Sequence, residues 1–85
     1  MNIQLRFFAG IREALGTSQE TLSLPAHVQT VGEVRAWLCE RGGVWREALG
    51  EGRALRMAYN QQMSDAGTRI DDGGEVAFFP PVTGG

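Results

Sequence analysis

Apolar and polar residues alternate from Asn2 to Ala9, with Ile3, Leu5 and Phe7 on one side and Asn2, Gln4 and Arg6 on the other. A period of two marks a half-buried strand. A short helical turn is expected at Ile11 to Leu15, closed by Gly16. Thr21, Leu22 and Leu24 then predict a second strand over Gln19 to Leu24, stopped by Pro25. These strands are close in sequence and are expected to pair antiparallel. Thr30 and Glu33 have capping-box spacing, a hydroxyl at the cap and a carboxylate three residues on. The helix that follows, Val31 to Arg41, places Val31, Val34, Trp37 and Leu38 on one core-facing stripe, and Gly42-Gly43 ends it. Trp45, Ala48 and Leu49 suggest one more helical turn. A third strand is expected at Leu55 to Tyr59, a turn at Asn60-Gln61-Gln62, and a very short strand and loop within Met63 to Ile70. Asp71-Asp72-Gly73-Gly74 is a strong turn signal before a last strand, Glu75 to Phe79, which Pro80 cannot extend because it has no N–H. The order predicts one α+β domain, a mixed sheet with one main helix across a single face.

Strand parity isolates two phenylalanines. With Ile3, Leu5 and Phe7 inward, Phe8 points to the opposite face. In the last strand Val76 and Phe78 form the natural core pair, because the alternative set, Glu75, Ala77 and Phe79, contains a charge. Phe79 then faces outward. If the two strands are neighbours, Phe8 and Phe79 lie together on the open side of the sheet, with Met63 a further candidate for the same patch. Two clustered exposed aromatics suit a partner-binding surface better than incidental edge packing.

The chain is 85 residues long, enough for one domain with a modest core. Its apolar fraction of 42% and charged fraction of 21% are ordinary for a globular domain. No apolar stretch approaches a bilayer span, and the alternating N-terminus does not resemble a secretory signal, so a cytoplasmic location and no membrane partner are expected. The net charge of −2 and the lack of a basic cluster argue against a nucleic-acid partner. All eight cations are Arg, so the chain offers no lysine amine for conjugation to itself. The single cysteine, Cys39, cannot form an internal disulfide and reads as a packed filler. His27 has no companion ligand nearby for a metal site, and a His27–Cys39 dyad lacks support from the sequence. Within this chain no general base, nucleophile or metal site is expected, so it is not expected to catalyse alone.

The remaining candidate chemistry lies in the ending, "FFPPVTGG". Glycine makes up 12 of 85 residues, so a closing pair arises by chance roughly once in 50 and is weak evidence alone. Its setting adds weight. Pro80 and Pro81 hold the backbone extended, and the tail from Pro80 can reach about 20 Å at ~3.3–3.6 Å per residue. Gly84 and Gly85 lack Cβ atoms, so a partner's walls can close on the backbone. A terminal carboxylate there is ionised at neutral pH and a poor electrophile. Chemistry at Gly85 therefore needs prior activation, most simply adenylation by a partner enzyme.

Together "FFAGIREALG", "AYNQQ" and "DDGGEVAFFPPVTGG" resemble the small-subunit family of molybdopterin synthase, ubiquitin-like sulfur carriers. The resemblance covers nearly the whole chain; the ending discriminates best, while the stretch from Gln19 to Arg56 and the pair Gln61-Gln62 depart from it. It implies a β-grasp fold with the first and last strands parallel at the sheet centre, a domain over residues 1–80 and a flexible tail over 81–85. It also implies that an E1-like enzyme uses ATP and magnesium to adenylate Gly85, and that a sulfur-donor system converts the adenylate to a thiocarboxylate. The tail then enters the large synthase subunit, in a heterotetramer, and gives sulfur to cyclic pyranopterin monophosphate. By position, Phe8, Met63 and Phe79 would contact partners, while Pro81, Val82, Thr83 and Gly84 would thread the partner's channel; no cofactor would be bound to the chain itself. Arg12 and Glu13 fall in the early block and read as a local charge pair or solvated loop. Alternatives are a carrier for thiamine thiazole, amino-acid or tRNA thiolation, or a ubiquitin-like modifier.

Overall fold

The structure, a computed structural model, describes residues 1–81. Its elements in chain order are β1 (Asn2–Phe7), α1 (Ala9–Leu15), β2 (Gln19–Ser23), α2 (Val31–Cys39), α3 (Gly43–Leu49), β3 (Arg56–Tyr59), β4 (Gln62–Ser64) and β5 (Glu75–Phe79). The strands form one mixed sheet in the order β2-β1-β5-β3-β4. β1 pairs antiparallel with β2 and parallel with β5, which is antiparallel to β3. The parallel central pair, the antiparallel opening hairpin and the helices packed on one face make the β-grasp arrangement.

Three helices cover the core face, α2 the longest. The inward set of β1, namely Ile3, Leu5 and Phe7, is buried with Val76 and Phe78 of β5 and with Val31, Val34 and Leu38 of α2. Each such side chain stabilises the fold by about 1.5–3 kcal/mol. Thr30 caps α2 by accepting the Glu33 N–H at 3.1 Å, and the Glu33 carboxylate accepts from the Gln29 N–H at 3.1 Å. Gly32 allows the start of α2 to press on the 65–68 loop, because a Cβ there would meet Ala66 Cβ at 2.8 Å. Arg35 staples α3 to α2 by donating to the carbonyls of Leu49, Gly50 and Arg53.

Boundaries differ from expectation where local geometry overrides pattern. β1 ends at Phe7 and α1 begins at Ala9, two residues before the expected start. The chain turns there through a positive φ of 52° at Ala9. α2 stops at Cys39 rather than Arg41, and Gly42 and Gly43 both take positive φ as the chain turns into α3. Trp37, expected in the core, is half-buried on its margin, where its ring meets His27 edge-on at 5.9 Å between centroids. The β3–β4 turn uses positive φ at both Asn60 and Gln61, the two-residue geometry that matches strand twist. No helix among the described residues is long and apolar enough to cross a membrane.

Candidate functional site

Phe7 and Phe8 part company at the end of β1. Phe7 is buried and stacks on Phe78 at 6.3 Å. Phe8 keeps an extended backbone, with φ −125° and ψ 154°, so its side chain alternates to the open face, where it is 40% exposed. Its N–H donates to the Phe78 carbonyl at 3.2 Å, continuing the β1–β5 pairing by one residue. β5 repeats the division: Phe78 is sealed in the core and Phe79, next in sequence, is half-buried on the other side. The outward rings meet edge to face, with centroids 6.0 Å apart, as the two strands' parity predicts.

Register fixes what surrounds the pair. Arg6 of β1 aligns with Ala77 of β5, Ala77 with Ala58 of β3, and Ala58 with Met63 of β4. These four share the open face, and Met63 is 59% exposed at its far side. Ala77, grouped by parity with the outward set, is nonetheless buried, as is Ala58: small side chains at the sheet centre are covered by their longer neighbours. Arg56 of β3 stands opposite Phe79. The Arg6 guanidinium lies 5.6 Å from the Phe8 ring centre and 3.7 Å from the Glu75 carboxylate. The site is therefore an aromatic pair with cations beside it. Parity alone found Phe8 and Phe79; Arg6 and Arg56 needed the strand pairing, although alternation with Ala58 was a usable signal for Arg56.

Directly beyond Phe79 come Pro80, half-buried, and Pro81, exposed. The aromatic pair thus stands at the root of the tail. Val82, Thr83, Gly84 and Gly85, expected to thread a partner and carry the chemistry, lie outside the described residues.

The other candidate groups are separate from this patch. Burial pushes the Cys39 thiol above its ordinary value, against the opposing pull of Arg35 and Arg46. That keeps it neutral and a poor nucleophile. His27 lies against Trp37 in one cleft, and Cys39 lines another with Arg35, Arg46 and Leu49. On the core side of the sheet edge, Glu20 accepts two hydrogen bonds from Arg41, which hold its carboxyl below the ordinary value despite partial burial. The same bonds raise Arg41, whose guanidinium also covers Trp45 at 4.3 Å.

The chain matches the model of the ThiS family over residues 5–85. It is 40% identical to the molybdopterin synthase sulfur carrier subunit of Escherichia coli (strain K12), over 98% of this chain and 99% of that protein. The protein of that name from Haemophilus influenzae is 37% identical with the same coverage. Among solved structures, a protein–protein complex of subunits 1 and 2 of molybdopterin-converting factor from Helicobacter pylori 26695 contains a chain that superposes with a TM-score of 0.69. The match is 27% identical and covers 100% of both chains.

Proposed function

The chain belongs to the ThiS family, and from that membership we propose that it is the sulfur carrier subunit of a molybdopterin synthase. The observation that carries this reading is the extent of the similarity. Relatives of that name match 98% of the chain at 37–40% identity, and the family match runs through Gly85. The position of the outward Phe8–Phe79 pair, directly before Pro80 and Pro81, supports it.

In this reading the domain is a grip and the tail a reagent. A partner holds Phe8, Phe79 and Met63, which orients Pro80 and Pro81 and sends residues 82–85 into its active site. An E1-like enzyme joins the Gly85 carboxylate to AMP from ATP with magnesium, releasing pyrophosphate. A sulfur donor then displaces AMP and leaves a thiocarboxylate. The large synthase subunit takes the loaded tail in a heterotetramer; two loaded carriers each give one sulfur to cyclic pyranopterin monophosphate, building the dithiolene, and water returns each Gly85 to a carboxylate. The work is cytoplasmic, and catalysis belongs to the partners.

The test is single-turnover transfer. The thiocarboxylated chain, mixed with the large subunit and the pterin precursor, is expected to yield molybdopterin. The chain with Gly85 deleted is expected to keep its thermal melt and yield none. A loaded chain that gives no product with the large subunit, yet supports another thiolation or forms isopeptide adducts, contradicts the assignment.

A further inference from the structure

The chain's arginines are mostly tied down. Arg35 donates to three backbone carbonyls, Arg41 holds Glu20 and covers Trp45, Arg53 donates to the Glu47 carbonyl, and Arg69 donates to Gln29. On the open face Arg6 is matched by Glu75 at 3.7 Å and lies over Phe8. Arg12, Arg46 and Arg56 are exposed and have no carboxylate, carbonyl or ring partner among the described residues. Of the three, Arg56 is the one that stands directly opposite Phe79 in the β3–β5 register. A residue opposite another across paired strands has its Cβ roughly 5 Å away, so this unpaired cation rises beside the outward aromatic pair.

We infer that Arg56 is a specificity-determining charge: the surface of the large subunit that covers Phe8 and Phe79 carries a carboxylate opposite it. The inference rests on the functional reading above and deepens it by naming the chemistry of the partner's rim. Docking on the two rings removes water from one side of the guanidinium. A matched carboxylate then gains from the lowered local dielectric, whereas a neutral or cationic rim leaves the charge partly desolvated without compensation. The chain's net charge of −2 does not favour an acidic partner at long range, so the selection must be local. An apolar patch alone accepts many hydrophobic surfaces; one unpaired charge at its border rejects those without the complement.

The test measures association and dissociation of the full chain with the large subunit at low and at physiological salt. Arg56→Gln is expected to weaken binding about threefold to tenfold at low salt, and Arg56→Glu by more than about tenfold, chiefly through faster dissociation. Both losses shrink as salt rises, and Arg56→Lys recovers most of the affinity. Arg56→Gln retains a long polar side chain, which separates loss of charge from loss of fold. Wild-type affinity in both the Gln and Glu variants at low salt overturns the inference, as does an equal loss in both that ignores salt. If the wild-type chain binds and Phe79→Asp disrupts binding while the Arg56 variants do not, only this inference fails. If the wild-type chain does not bind the large subunit, the functional reading fails first.

Discussion

The two faces of one sheet use neighbouring residues of the same strands for opposite ends. Phe7 and Phe78 are stacked in the core beneath the helices, while Phe8 and Phe79 meet edge to face on the uncovered side. Burial separates them: Phe7 is 1% exposed and Phe8 40%. An aromatic ring on the helix face secures the fold, whereas the same ring on the open face leaves apolar area wet until a partner covers it. In the proposed function, stability and recognition thus fall on alternate residues that can be altered one at a time.

The sharpest test of this division substitutes adjacent residues of β5. Phe78→Ala is expected to lose about 3–5 kcal/mol of stability, enough to unfold much of a small domain, as read by chemical denaturation. Phe79→Asp is expected to leave stability within about 1 kcal/mol and to weaken large-subunit binding by about 2–4 kcal/mol, roughly 30- to 1,000-fold. Equal destabilisation by the two variants would erase the contrast between the faces.

Two smaller effects concern positions that serve neither role fully. Gln61 holds φ at 68° in the β3–β4 turn, a conformation that costs a residue with a Cβ about 1–2 kcal/mol. Glycine relieves that cost but gives part back as chain entropy, so Gln61→Gly is expected to raise stability by about 0.5–1 kcal/mol and leave binding unchanged. The Glu20–Arg41 pair locks the edge of the helix face. Its hydrogen bonds lower the Glu20 carboxyl in the folded state. Its stabilisation is therefore complete above the unfolded value of about 4.3 and is lost as pH falls through the lowered folded one. Glu20→Gln is expected to cost less than about 1 kcal/mol at neutral pH. The difference from wild type should vanish in melts carried out at acid pH.

Much of this division was legible from period-two alternation, because inward and outward positions of a strand need no knowledge of its neighbours. Ile3, Leu5, Phe7, Val76 and Phe78 follow it into the core, and Phe8 and Phe79 follow it out. Thr30 and Glu33 disclosed the start of α2 for the same reason, since capping chemistry is local. What escaped depends on long-range pairing or on strain. Arg56 becomes part of the patch only through its register with Phe79. The early start of α1 rests on a left-handed Ala9, which propensity disfavours; the turn at Asn60-Gln61-Gln62 was legible, but not its left-handed Gln61. Trp37 fits the helical stripe, but its ring ends at the margin beside His27 rather than beneath the sheet.

Intact-mass measurement after incubation with the E1-like enzyme, ATP, magnesium and a sulfur donor addresses the proposed carrier role most directly. The account predicts a mass gain equal to exchanging one oxygen for one sulfur, mapped to Gly85 and absent when ATP is withheld. An unchanged mass under conditions that load a related carrier, or a sulfur found on Cys39 instead, contradicts it.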